Sequence, residues 1–453
     1  MSERYELCVI GAGTAGFMAA ETARADGRRF VVISGPGDLG GTCILRGCMP
    51  AKTLLSSTEV LHEVEKAPEF GIQARGVHVD VPAIIARKRE LVDYFAEDRL
   101  HELENFPLVR GCARFVAHDA LEVAGRRIEA DRFIIATGSQ IVAPSIPGLA
   151  EAGYITSDNV LEMAGVPPSV AVLGGGPVGC EFAQYFARLG AKVTLLQNGP
   201  ALLRNEDADV GEAVRAALQR DGIDVVLDAV VERCTRAGDT TVVTYTAGET
   251  AESVRVAALM LASNRLPNVG GLELAAAGVL ANDAGIAVDP YLRTTNHAVL
   301  AAGDVLGRRC LVHVAAYAGK LAARNAFAET PVEADFDRFE AHAVYTQPQV
   351  AVAGLTERTC RERGLTVRVR RHPFRDIGKA LVAGQPDGFV KMIAARDGRI
   401  LGIAVVGDDA IDLIGEAVAL IDRGATAADV ASMPHLHPTM GEIFGRVAEA
   451  LAA

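Results

Sequence analysis

The sequence predicts an α/β fold: two β-α-β units, each turning on a glycine-rich loop, followed by an α+β module. Three observations predict it. The apolar run "YELCVI" leads into Gly11-x-Gly13-x-x-Gly16, an alanine-rich helical stretch to Gly27, and a second apolar run, "FVVIS". The same order returns as "SVAVLG", Gly174-x-Gly176-x-x-Gly179, "CEFAQYFARLG" and "KVTLLQ". The last hundred-odd residues alternate strand-like runs ("GFVKMIAA", "ILGIAVVG") with a helix-like one ("AIDLIGEAVALI").

Each glycine loop has a physical reason. The glycines permit a tight turn and close backbone approach, and the following helix presents its N-terminus to a pyrophosphate. Two such loops, each between strand and helix, predict two Rossmann-like dinucleotide-binding domains. An acid about 20 residues past the first glycine ordinarily holds the ribose hydroxyls. Here the corresponding positions are Ser34 and Gln197, both neutral, so neutral hydrogen bonds or another residue such as Asp38 must hold each ribose. "APSIPG" near 143–148 ends the first segment, and "SNRLPN" at 263–268 closes the second. The predicted divisions are 1–148, 149–268, 269–332 and 333–453.

Bulk properties exclude several classes. The chain has 453 residues, half of them hydrophobic, with a net charge of −12. Such a balance argues against nucleic acid and anionic membrane surfaces as partners, since both demand a basic face. No apolar run reads as a membrane span. "LCVIGAGTAGFMAA" is glycine-dense and follows "MSERYE", which lacks the positive charge of a signal peptide. The eight cysteines are scattered, without a C-x-x-C pair, so neither a secreted disulfide framework nor a structural zinc site is expected. A cytoplasmic location with reduced thiols follows. Cys8, Cys112, Cys180, Cys234, Cys310 and Cys360 are expected to be buried bystanders, and Arg87-Lys88-Arg89 a solvated helix face.

Cys43 and Cys48 stand apart, five positions from one another in "GGTCILRGCMPAK". On an ideal helix five residues rise roughly 7.5 Å, whereas a disulfide wants Cα atoms within about 6.8 Å. A bridge therefore needs a distorted turn, which Gly47 can supply, and a short bridge of that kind is readily reduced. The spacing alone leaves a redox pair and two ordinary thiols near a helix start both open.

Taken with the two glycine loops, "IIATGS", "AAGDV" and the C-terminal "HLHPTMGE", the cysteine segment resembles the flavoprotein disulfide reductases along nearly the whole chain. That family includes dihydrolipoamide dehydrogenase, glutathione reductase, mycothione reductase and mercuric reductase. The resemblance implies an FAD domain, an NAD(P) domain and a C-terminal dimerisation domain. It implies FAD contacts at Gly11, Gly13, Thr14, Ala15, Gly16, Gly41, Thr42, Lys52, Ala113, Thr137, Gly138, Gly303, Asp304, His313 and Ala315. It places NAD(H) or NADP(H) at Gly174, Gly176, Val178, Gly179, Gln197 and Arg204. Glu181 matches the glutamate that pairs with Lys52 beside the flavin. Cys48 matches the charge-transfer thiolate, Cys43 the thiol that attacks a substrate disulfide, and His437, oriented by Glu442, the base. His435 is expected to be a structural neighbour. In the family this tail reaches the cysteines of a second subunit, so the resemblance implies a homodimer.

Within the family the features are mixed. The complete His437–Glu442 segment, and the lack of a cysteine after Cys360, depart from mercuric reductase, whereas "FARLGAKVTLLQNGPALLRNED" and "HVAAYAG" resemble it. Pro177 stands at the lid position that is tyrosine in glutathione reductase, and of that enzyme's two phosphate-holding arginines only Arg204 is kept, beside Asn198. The expected substrate is a dithiol of dihydrolipoamide type, free or on a lipoyl-bearing protein, with glutathione reductase-like or mercuric reductase-like chemistry as alternatives. A flavin-only transhydrogenase or quinone reductase, or a non-catalytic redox sensor, are the readings from other classes.

Overall fold

The computed structural model describes residues 3–263, 265–308 and 310–452. It has the predicted α/β architecture, arranged as two compact units, each drawn from three separate stretches. The first comprises 1–53, 86–143 and 264–336, and the second 54–85, 144–263 and 337–453.

In the first unit, the second half of strand Glu3–Ile10, from Leu7 onward, is apolar because it lies at the buried centre of the sheet. Parallel neighbours flank it: Phe30–Ser34 with Leu108–Arg110 on one side, Arg126–Ile135 with Val299–Ala301 on the other. Antiparallel Ala120–Val123 and Arg114–Ala117 complete the sheet. Helices Thr14–Ala25 and Val312–Asn325 pack together through small residues, and at Gly319 a Cβ would lie 2.1 Å from the carbonyl oxygen of Ala15.

The second unit repeats the parallel arrangement in Asp224–Val226, Lys192–Leu196, Ser169–Leu173 and Ala258–Leu261. An antiparallel meander, Ala229–Ala237, Thr240–Ala247 and Thr250–Val256, is inserted between them in sequence. A five-stranded antiparallel sheet follows, in the order Ala341–Val344, Gln349–Gly354, Ile400–Gly407, Phe389–Ala395, Val367–Pro373. Its apolar face is covered by helices Ala410–Asp422 and Glu442–Ala452 around Phe374, Ile403, Val405, Phe444 and Val447. This is the predicted α+β module.

Two expectations fail. Cys112 and Cys310 are exposed; only Cys8, Cys180, Cys234 and Cys360 are buried bystanders. Lys88 is 3% exposed rather than solvated, because it follows buried Ile85 by one turn on helix Val81–Leu103 and shares its inward face. Arg87 and Arg89 are on the solvated side as expected. Among the described residues no helix is long and apolar enough to cross a membrane.

Candidate active site

The two glycine loops have the same backbone. Gly11 and Gly174 open them with φ of +117° and +115°, where an L side chain is strained. Gly13 and Gly176 both take extended N-cap conformations, without a side-chain cap, before twelve-residue helices. A Cβ at either Gly16 or Gly179 would lie 1.8 Å from the carbonyl oxygen of its loop's first glycine, so helix and strand close only on glycine. The uncapped first-turn amides are what a pyrophosphate needs.

Around the first loop the structure gathers many of the residues that resemblance assigns to FAD. Gly41 (φ +77°) lies so close to Gly13 that a Cβ would be 2.7 Å from its Cα. A Cβ at Gly303 would be 2.9 Å from the Cβ of Ala15 and 3.6 Å from that of Ala315. Thr137 follows directly on the Ala136 carbonyl that closes over Gly11, and its hydroxyl donates to the carbonyl of Asn268 at 2.7 Å. Gly138 sits at φ +73°. These approaches form a cradle that added side chains would fill, and it fits an extended dinucleotide. Thr14 opens the helix of that cradle, and Thr42 lies in short helix Gly41–Leu45. Ala113 is buried in the same unit's core, whereas His313 is exposed on the first turn of helix Val312–Asn325. Asp304 accepts the hydroxyl of Ser139 at 2.8 Å, and Arg265 donates to that hydroxyl at 3.1 Å. Cys310, exposed as a residue, turns its sulfur toward this cluster, 4.0 Å from the Ser139 hydroxyl, and the thiol is pushed up to about 11 by local loss of solvent around the sulfur first and by Asp304 second. The sequence reading missed Ser139 and Arg265; their place beside "ATG" and "LPN" was the available signal.

The cysteines lie at a break between helices. Helix Gly41–Leu45 ends, Arg46 and Gly47 turn the chain, and helix Cys48–Lys66 begins. A Cβ at Gly47 would be 2.9 Å from the carbonyl oxygen of Thr42 and 3.2 Å from the Cα of Cys43, so this is the distorted turn expected of Gly47. The thiols of Cys43 and Cys48 hydrogen-bond each other, and the backbone N–H of Cys48 points at the Cys43 sulfur. The Cys43 thiol is held far above its ordinary range, by the Cys48 side chain first and then by burial; the Cys48 amide and Arg99 pull the other way. As a thiol it is therefore unreactive without a base. Lys52, one turn along the same helix, is half-buried.

The second loop carries an unforeseen contact. Gln197 is buried, and its Oε1 accepts the N–H of Gly175 at 2.9 Å. The loop amide is an obligate donor, so the Gln197 oxygen faces it and the side-chain NH2 is left as the group to present elsewhere. Val178 is half-buried in the first turn of helix Pro177–Arg188, and Arg204 is exposed. Glu181, 3% exposed on the same helix, accepts the backbone N–H of Tyr345 at 2.9 Å.

His437 and Glu442 meet as expected. The imidazole Nδ1 is 3.0 Å from Glu442 Oε2, and Glu442 Oε1 accepts the N–H of Thr439 at 2.9 Å. Both bonds, the imidazole's the larger, hold the carboxylate below its ordinary range. The His437 side chain is 76% exposed, with Nε2 on the side away from the carboxylate. His435 is a neighbour with its own partner, Nε2 lying 3.0 Å from Glu416 Oε1.

Comparison with known proteins agrees. The model of the family described as pyridine nucleotide-disulphide oxidoreductase matches residues 5–319, and the model of its dimerisation domain matches 341–448. The chain is 35% identical to a mercuric reductase of Bacillus cereus over 443 residues, covering 97% of this chain and 70% of that protein. It is 33% identical over 449 residues to a dihydrolipoyl dehydrogenase of Bacillus subtilis (strain 168), covering 96% of each. Among solved structures it is similar to the HOCl-induced flavoprotein disulfide reductase RclA from Escherichia coli, with a TM-score of 0.86, 28% identity and coverage of 98% and 99%. The chain belongs to the pyridine nucleotide-disulphide oxidoreductases, which use FAD and NAD(P)H.

Proposed function

We propose that this oxidoreductase exchanges electrons between NAD(P)H and a small dithiol/disulfide of dihydrolipoamide type through Cys43 and Cys48, acting as a homodimer. The observation that carries the reading is the hydrogen-bonded Cys43–Cys48 pair folded over Gly47. Bound FAD supplies two-electron transfer between the nicotinamide and that pair. The cradle of Gly11, Gly13, Gly16, Gly41, Gly303 and Asp304 would hold it, and the family resemblance assigns Lys52 and Glu181 to the same flavin.

In the reductive direction Cys43, once deprotonated, attacks one sulfur of the substrate disulfide. The substrate S–S bond breaks, a Cys43–substrate mixed disulfide forms, and the departing thiolate takes a proton from the His437 imidazolium. The Cys48 thiolate then attacks the Cys43 sulfur, closing the Cys43–Cys48 disulfide and expelling the second substrate sulfur as a thiolate, which takes its proton from solvent. Two features support these roles. Cys48 begins a 19-residue helix, whose N-terminus favours a thiolate, and Cys43 is held as a thiol until a base takes its proton. His437, exposed and oriented by Glu442, is that base, presented to the cysteines of a second copy.

The test is NAD⁺ or NADP⁺ reduction driven by dihydrolipoamide. Fast turnover with the wild type and none with Cys43→Ser is the expected result. A wild type that fails with dihydrolipoamide but oxidises NADPH in the presence of thiol-bound Hg(II) favours a second reading, reduction of a soft metal ion. That reading is supported by 31–35% identity to several mercuric reductases.

A further inference from the structure

Helix Pro177–Arg188 turns three long polar side chains onto one buried face: Glu181, Gln184 and Arg188, at i, i+3 and i+7. Buried polar groups must find partners. All three do so in the four-residue link between strands Ala341–Val344 and Gln349–Gly354. Glu181 Oε1 accepts the N–H of Tyr345 at 2.9 Å. Gln184 Oε1 accepts the N–H of Gln347 at 2.7 Å, and Gln184 Nε2 donates to the Gln347 carbonyl at 2.9 Å. Arg188 donates to the side-chain Oε1 of Gln347. The Gln184 amide thus pairs with both backbone groups of Gln347 at once, as a neighbouring strand would. Its other N–H goes to Asp221 at 2.8 Å, and Asp221 also pairs with Arg188 at 3.3 Å.

We propose that Gln184 is a positioning residue. By clamping the backbone of Gln347 it fixes the amide of Tyr345 two residues earlier, and through that amide the carboxylate of Glu181. Three residues of helix, about 4.5 Å of rise, separate the two contacts. A carboxylate anchored through one oxygen has the direction of its other oxygen set as well. The inference rests on the reading of Glu181 as the counter-charge beside Lys52 and the flavin. On that reading a loosened Glu181 weakens the lysine's hold on the flavin charge without removing any group from the site.

The experiment uses the FAD-loaded full chain in four forms: wild type, Gln184→Leu, the milder Gln347→Ala, and Glu181→Gln. Amide hydrogen exchange over 345–347 reports the clamp. Anaerobic reduction with NADPH or NADH reports the long-wavelength thiolate–flavin absorbance. Gln184→Leu is expected to speed exchange several-fold and to lose much of that absorbance. Glu181→Gln loses it too, and Gln184→Leu adds nothing to Glu181→Gln in the double variant. Gln347→Ala, which keeps the backbone and removes only the Arg188 contact, moves both readouts less in the same direction; it carries the test should Gln184→Leu fail to fold. Faster exchange with wild-type absorbance in the clamp variants, while Glu181→Gln changes it, overturns the positioning role alone. Wild-type absorbance in Glu181→Gln overturns the reading of Glu181 and the positioning role with it. Unchanged exchange in the clamp variants overturns the clamp itself.

Discussion

Gly47→Ala is the sharpest small perturbation of the redox turn. Gly47 does not occupy the left-handed region, so alanine meets no backbone strain there. The obstacle is space. The new Cβ would lie 2.9 Å from the Thr42 carbonyl oxygen and 3.2 Å from the Cys43 Cα, and both are backbone atoms that cannot rotate aside. Something must move by a few tenths of an ångström, and what moves is the turn that holds the two sulfurs together. Overpacking of this kind costs about 1–3 kcal/mol. Placed on the geometry of sulfur attack, that is about 10- to 100-fold in rate. The protein should fold, bind FAD and be reduced by nicotinamide with little change, because the cradle at Gly11, Gly13 and Gly303 is untouched. Stopped-flow mixing of the reduced enzyme with disulfide substrate should show the loss in the thiol–disulfide step alone. A Gly47→Ala enzyme with wild-type rates in both half-reactions would refute the argument that this turn sets the cysteine geometry.

Other predictions concern the remaining parts. Gln197→Glu keeps an acceptor for the Gly175 amide but replaces the side-chain NH2 by a second carboxylate oxygen. Repulsion of a 2′-phosphate should cost about 1–3 kcal/mol, lowering kcat/KM for NADPH relative to NADH by ~10- to 100-fold; an unchanged ratio would place the ribose elsewhere. Glu442→Gln should leave FAD content intact and slow thiol–disulfide exchange, because the carboxylate that orients the His437 ring through Nδ1 is lost. Because Glu442 is held below its ordinary 4.5, its tie to His437 persists above that value and is lost as pH falls through the depressed pKa, which an NMR titration of the Glu442 carboxyl carbon reads directly. His62 is lowered to about 4 by burial first and then by Arg188 and Lys66. Its folded pKa lies below the unfolded 6.5, so the unfolded chain binds the proton first. Stability is full above pH 6.5 and falls as pH drops toward about 4, by ~1–2 kcal/mol after discounting for partial exposure. In urea titrations His62→Gln should remove that part of the acid slope.

What could be read from the sequence was whatever leaves a local mark. Both glycine loops were legible because Gly11 and Gly174 need positive φ, and Gly16 and Gly179 need the absence of a Cβ. The turn at Gly47 was legible from cysteine spacing, and the C-terminal strands from their apolar runs. The burial of Lys88 was hidden because a basic triplet reads as solvated, whatever face its middle residue takes. The exposure of Cys112 and Cys310 was hidden because a thiol carries no sign of its surroundings. The Gln184–Gln347 pairing joins residues 163 positions apart, and only the polar i, i+3, i+7 pattern within "CEFAQYFARLG" hinted at it. The meander over Ala229–Val256 was missed because it interrupts a β-α-β series from which it takes no part of its periodicity.

On the proposed function, electrons from the nicotinamide come to rest on Cys43 and Cys48. The most direct test is to alkylate the FAD-loaded protein anaerobically before and after one equivalent of NADPH or NADH, then weigh the peptides holding both residues. An unlabelled, disulfide-linked pair is expected before reduction and two labelled thiols after it, with the other cysteines unchanged. Flavin that bleaches while the labelling of Cys43 and Cys48 stays the same would contradict it and leave a flavin-only oxidoreductase.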